Sequence, residues 1–254
     1  MRVPAFLLFV VTTACGATKA PPEVDGSVPT LSLPEAGATS CRQVTRTVEF
    51  EPRLADVLIL FDRSGSMNAA FGDGSRYSVE ARILSDLVTT YERRIRFGMQ
   101  TFPRKYGCGD GAAACCADQP QLSPAFGNAE AIAEVIADAA PVDGHTPTAL
   151  ALAVAREHFA KLPSDGADRF VLLSTDGVPS CNLAGRLAPD EREASGWLAG
   201  PCRDALTAVD ELRSGGVRVV VLAVGDGLER DVRGRATCLE DLARRGGAPR
   251  PVGE

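Results

Sequence analysis

The chain has little histidine, few aromatic residues and no surplus of positive charge. Two histidines among 254 residues, and no Cys-x-x-Cys pair, leave almost nothing from which to build a zinc centre. A Ser-His-Asp hydrolase would need His145 as base to Ser64 or Ser66, and no Gly-x-Ser-x-Gly elbow supports one. Lys and Arg number 27 against 33 Asp and Glu, a net charge of −6 that offers no surface to nucleic acid. The basic clusters, Arg93-Arg94 with Arg96 and Arg244-Arg245, stand beside acids or a strand start and read as solvated faces. What the chain does have, 45% hydrophobic and 24% charged residues, is the composition of an ordinary globular protein.

The N-terminus carries one positive charge at Arg2, an apolar run from Pro4 to Val11 and then Thr12-Thr13-Ala14-Cys15. That is a secretory signal, too short to span a bilayer. Cys15 occupies the place of the lipidated cysteine in a bacterial lipoprotein, although Thr12 stands where an aliphatic residue is preferred. Ordinary cleavage after Ala17 is the alternative. Residues 16–40 hold four prolines and no aromatic residue, which predicts a disordered tether between a signal at 1–15 and a domain at 41–254. The expected location is thus the cell envelope, with the chain exported and anchored to the membrane through lipid on Cys15.

Apart from Cys15 there are seven cysteines, at 41, 108, 115, 116, 181, 202 and 238. In an exported chain these read as disulfides. Cys181 and Cys202 flank one loop and are the expected pair. Cys108 with Cys115 or Cys116 would close a small loop, while Cys115 and Cys116 are too close to bond each other without strain. The partners of Cys41 and Cys238 are left open.

From residue 43 onward strands and helices alternate. Val57–Phe61, Phe170–Leu173 and Val217–Val224 are short apolar runs of the kind that parallel strands buried on both faces require. Ile95–Phe102 alternates at first and suits a strand nearer the sheet edge. Helical patterns fall between them, at Tyr77–Tyr91, Ala129–Ala139, Thr148–Leu162, Cys202–Arg213 and Cys238–Arg245, with Ser75 or Ser78 as a cap for the first. Gly215-Gly216 and Gly246-Gly247 stop the last two. The fold class is α/β: a doubly wound, mainly parallel sheet with helices on both faces.

In such a sheet the loops after the strands meet at one rim. The first buried strand runs into Asp62-Arg63-Ser64-Gly65-Ser66, another ends in Thr175-Asp176-Gly177, and Gly144-His145-Thr146-Pro147-Thr148 leads into a helix. Asp62, Ser64, Ser66, Thr146 and Asp176 would thus bring two carboxylates and three hydroxyls together. Such a set suits a hard divalent cation: magnesium first, with manganese or calcium as alternatives.

Asp-x-Ser-x-Ser, Gly-x-Thr-Pro-Thr and Thr-Asp-Gly, in that order, resemble the metal-ion-dependent adhesion site of von Willebrand factor type A domains. The resemblance covers about residues 54–247 and includes Gly98–Pro103 and Val221–Gly225. It implies that Ser64, Ser66 and Thr146 coordinate directly, while Asp62 and Asp176 act largely through water. It leaves one position for a ligand, often a carboxylate of a protein partner. Non-catalytic, metal-dependent binding of a protein or surface ligand is the function implied. A metal-dependent hydrolase and a scaffold whose ion only ties the loops are the alternatives. His145, beside Thr146, and Trp197, in the loop after Asp176, are candidate partner contacts, although an exposed loop histidine and a packing tryptophan are the plainer readings. His158 and the Gly72-Asp73-Gly74 segment read as a boundary residue and a turn. The family usually adds another edge strand and a closing helix, and the tail from Gly246 to Glu254, with two prolines, suggests that both are missing.

Overall fold

The computed structural model describes residues 31–35, 42–46, 53–104, 115–142, 144–177, 179–185, 200–225 and 237–247. Cys15, Cys41, Cys108 and Trp197 lie outside these residues. The chain divides between Arg53 and Leu54 into two units. In the first, β1 (Leu31–Glu35) and β2 (Arg42–Arg46) form a two-stranded antiparallel ladder, Leu31 opposite Arg46 and Glu35 opposite Arg42. That ladder straddles the border expected between tether and domain at residue 40.

In the second unit the order is β3 (Ala55–Asp62), a 3-10 turn (Gly65–Asn68), β4 (Ala70–Phe71), β5 (Gly74–Ser75), α1 (Arg76–Tyr91), β6 (Arg96–Phe102) and β7 (Leu122–Ala125). It continues through α2 (Ala129–Asp138), α3 (Thr148–Lys161), β8 (Asp168–Thr175), α4 (Gly200–Ser214), β9 (Val217–Ala223) and α5 (Cys238–Gly246). The main sheet has the order β7-β6-β3-β8-β9, with all pairs parallel except β6 with β7. The architecture is therefore the doubly wound, mainly parallel α/β sheet read from the sequence. β4 and β5 form a minute hairpin whose turn is Gly72-Asp73. No helix among the described residues is long and apolar enough to cross a membrane.

β3 shows why its apolar run is continuous. Leu58 and Leu60 pack with Val171, Leu173 and Val219 against Leu152, Phe159, Val209, Leu212 and Leu242 of α3, α4 and α5. Ile59 and Phe61 face the other way, joining Met99, Leu84 and Val88 of α1, and Ile132 and Ile136 of α2. A central strand buried on both sides cannot tolerate polar alternation. The helix ends follow the sequence too. Ser75 and Ser78 form a reciprocal capping box at α1, and Gly247 closes α5 in a left-handed conformation at φ 84°.

Two features escaped the sequence reading. β7 has the sequence Leu-Ser-Pro-Ala, whose proline removes a ladder donor but is tolerable on an edge. It lies so close to β6 that a Cβ on Gly98 would sit 2.6 Å from the Leu122 carbonyl oxygen and 2.7 Å from the Pro124 nitrogen. Beyond α5, Gly247 makes a parallel bridge to Val219 on the outer edge of β9. Residues 248–254, on which the expected loss of a further strand and helix rests, lie outside the described residues.

The disulfide expectation needs correcting. Cys181 pairs with Cys115, and Cys202 pairs with Cys238. Cys116 is disulfide-bonded as well. Nearness in sequence misled because neighbours are set by the sheet. Cys202 and Cys238 both lie in first turns of helices, α4 and α5, that pack on one face with their N-termini at the same rim.

The closeness of β7 predicts that Gly98→Ala, which adds only a methyl group, destabilises the protein by about 1–3 kcal/mol. A lowered urea midpoint with an unchanged slope would show it.

Candidate metal centre

β3 and β8 run parallel as neighbours, with Phe61 opposite Ser174, so their ends bring Asp62 and Thr175 together. Thr175 Oγ1 donates to Asp62 Oδ2 at 2.5 Å, and the Ser64 N–H donates to Asp62 Oδ1 at 2.8 Å. The second contact is a tight local turn of the kind aspartate favours. It is followed by the 3-10 turn, pinned from below by the fully buried Met67, which leaves Ser66 exposed at the rim.

From Ser66 the polar contacts cross the site. Its hydroxyl lies 3.2 Å from the Ser64 hydroxyl and donates to Asp176 Oδ1 at 2.7 Å. The other Asp176 oxygen accepts from Arg76 Nη1 at 2.7 Å. Four of the five expected residues, Asp62, Ser64, Ser66 and Asp176, are thus joined within a few bonds of one another. Thr146, the fifth, is on a loop held to the same place. The Gly65 N–H donates to the Gly144 carbonyl at 3.0 Å and the Val142 N–H to the Arg63 carbonyl at 2.8 Å. Ser180 clamps Thr146 itself, accepting from its N–H at 2.8 Å and donating a backbone N–H to its carbonyl at 3.1 Å. His145 is exposed on this loop.

A further carboxyl was missed. Glu80 of α1 is fully buried, and neither of its oxygens has a hydrogen-bond partner. Burial pushes its pKa up to about 8; the Ser174 hydroxyl opposes the rise, while Asp62 and Asp176 add to it. Asp62 is also pushed up, to about 6, by burial, against the pull of its bonds to Thr175 and Ser64. One sequence signal was available: Glu80, Leu84 and Val88, the buried residues of α1, recur every fourth position. A glutamate in that stripe has to be buried.

These observations fit a divalent cation. Asp62, Asp176 and Glu80 lie near enough to oppose one another's ionisation, and Arg76 pairs with Asp176 alone among them. A cation bound among them would offset that repulsion and favour their ionised forms. The donors are oxygens without thiolate or imidazole, as magnesium, manganese and calcium prefer. Among the described residues no three His, Cys, Asp or Glu side chains gather as a conventional cage. The set depends on hydroxyls instead.

The architecture and the order of the three segments are those of the type A domain that the sequence resembles. No protein-family model and no curated protein sequence matches the chain. Solved structures do. The PilB minor pilin of Streptococcus sanguinis is similar at 16% identity and a TM-score of 0.53, over 84% of this chain and 60% of that one. The manganese-loaded TRAP protein of Plasmodium vivax aligns at 18% identity and a TM-score of 0.50, over 80% and 65%. The pilus adhesin SpaC of Lactobacillus rhamnosus GG aligns at 18% and 0.50, over 77% and 27%. This chain spans less than two thirds of the length of each, and at such identities the likeness is one of fold.

A pH dependence follows from the buried acids. A carboxyl whose pKa is raised on folding keeps a proton that the unfolded chain releases, so it favours the folded state least at high pH. For Asp62 that loss runs from about pH 4 to about 6, and for Glu80 from about 4.5 to about 8. In chelator, Glu80→Gln should therefore gain stability relative to the native protein as pH rises from 6 to 8, by up to ~1.4 kcal/mol per pH unit. Denaturant unfolding at each pH gives the difference directly.

Proposed function

We propose that the second unit is a divalent-cation-dependent binding domain that captures a protein or surface ligand through a carboxylate, without catalysing a reaction. The observation that carries this reading is the surplus of buried carboxyl groups beneath a rim of hydroxyls. Ser64, Ser66 and Thr146 would hold the ion directly, and Asp62 and Asp176 would orient water around it. Magnesium is the first choice of ion, with manganese or calcium as alternatives. A cation bound mainly by neutral hydroxyls keeps enough positive charge to attract a carboxylate. The descriptions of two proteins of similar fold, one manganese-loaded and one a pilus adhesin, support this reading.

Two observations favour binding over hydrolysis in this reading. Both oxygens of Asp62 and both of Asp176 already accept hydrogen bonds, and neither histidine belongs to the cluster. An ion is also not needed to tie the loops, because Gly65 to Gly144, Val142 to Arg63 and Thr175 to Asp62 already do so. The disulfides Cys115–Cys181 and Cys202–Cys238 fit maturation outside the reducing cytoplasm. Export, a lipid on Cys15 and a tether leading to the domain complete the proposal and would hold the domain at the cell envelope.

Calorimetric titration of the purified protein with magnesium or manganese should show one saturable site. Asp62→Ala and Asp176→Ala should each weaken it at least tenfold, or about 1.4 kcal/mol. A folded native protein that takes up neither ion would rule the reading out.

A further inference from the structure

Arg76 stands where a cation is poorly placed. It opens α1, whose first turn contains no acid, and the aligned backbone dipoles already make that end of a helix positive. Glu80, one turn further along the same helix, has both oxygens unpaired, yet Arg76 reaches across to the β8 loop instead. There its Nη1 lies 2.7 Å from Asp176 Oδ2. The Asp176 side chain is wholly buried, whereas a quarter of the Arg76 side chain is open to solvent, at 25%. Ser66, which holds the other Asp176 oxygen, is exposed. The buried carboxylate is therefore flanked at the rim by one reachable hydroxyl and one reachable guanidinium.

We propose that Arg76 is a specificity-determining residue, a second cation at the rim that weakens divalent-metal binding and strengthens capture of a carboxylate ligand. The inference rests on the metal-dependent reading of the same site. The two effects have one cause. A guanidinium and a metal ion that share Asp176 repel each other, so Arg76 lowers affinity for the ion. An incoming carboxylate meets two positive charges rather than one. Guanidinium is suited to it, because it carries five donors in a planar fork that matches a carboxylate. Here Nη1 is the one engaged, and Nε is buried without a partner. Lysine would keep the charge and lose the fork.

The two effects have opposite signs in one variant, which makes them separable from damage to the site. Arg76→Gln should bind magnesium more tightly than the native protein, by about 3- to 30-fold in calorimetry. At saturating magnesium it should bind acetyl-Gly-Glu-Gly-amide more weakly, by about 3-fold or more in an NMR shift titration, with the Gln peptide as control. Arg76→Lys should keep native metal affinity and still bind the Glu peptide less well. If Arg76 only positioned Asp176, Arg76→Gln would lose metal affinity, and that result overturns the proposal. So does a native protein that binds magnesium but does not distinguish the Glu from the Gln peptide. A native protein that binds neither magnesium nor manganese overturns the metal-dependent reading and this inference with it.

Discussion

The parallel pairing of β3 with β8 is the constraint on which the rest of the structure depends. Because the two strands run the same way and share a register, both deliver their last residues to one rim, and Thr175 can donate to Asp62. An antiparallel pairing would send Asp62 and Asp176 to opposite edges. Parallel pairing also demands a crossover helix between strands, and those helices bury the sheet on both faces. The apolar β3 and the polar cluster at its end are thus two consequences of one topology. The strand must be apolar because it lies at the centre, and the site must follow it because the loops of a central strand open onto the rim.

Burial then decides the electrostatics. A carboxylate on a solvated loop keeps an ordinary pKa and asks for no counter-ion. Asp62 and Glu80 are instead wholly buried. Removing them from water raises the cost of their charged forms. Hydrogen bonds from Thr175 and Ser64 offset that cost for Asp62, and Arg76 supplies a counter-charge to Asp176, but Glu80 has only the Ser174 hydroxyl to oppose its burial. The site is an imbalance held in place by a well-packed core, which is where strain at functional sites is usually sustained.

How far the sequence could be read follows from the range of each interaction. The parallel strands and the helices of the second unit were legible because hydrophobic period and capping are local, and their observed limits differ from the expected ones by only a residue or two, whereas β1, β2, β4, β5 and β7 were not read. The nearness of Asp62, Ser64, Ser66 and Asp176 was legible because strand-end loops of a parallel sheet share a rim, whereas Thr146 lies between two helices and its loop is held there by hydrogen bonds at Gly144 and Val142. Glu80 was not read because a glutamate on a helix is ordinarily solvated, and only the spacing to Leu84 and Val88 marks it as inward. The Arg76–Asp176 contact spans 100 positions, and nothing local announces it. The cysteine pairing failed for the same reason. Cys181 and Cys202 flank one loop, but the bonds they make follow which loops and helix ends the sheet sets side by side.

The corrected pairing changes the view of the site as well as of the fold. Cys181 adjoins Ser180, and Ser180 holds the Thr146 backbone by two hydrogen bonds. The bond from Cys115 to Cys181 therefore fixes the clamp that fixes the expected third hydroxyl ligand. Contact at Gly185, whose added Cβ would approach the Cys115 carbonyl to 3.2 Å, packs the same two loops further. A pair between Cys181 and Cys202 would have left the Ser180 clamp without a covalent tie to the segment after β6. Instead, the segment after β6 and the segment after β8 are stitched together around the site. Hydroxyl ligands bind a cation weakly one by one, so their value depends on being held in place before the ion arrives. In this chain the disulfide, the Ser180 clamp and the parallel sheet provide that order, and the charge imbalance among Asp62, Asp176 and Glu80 provides the attraction.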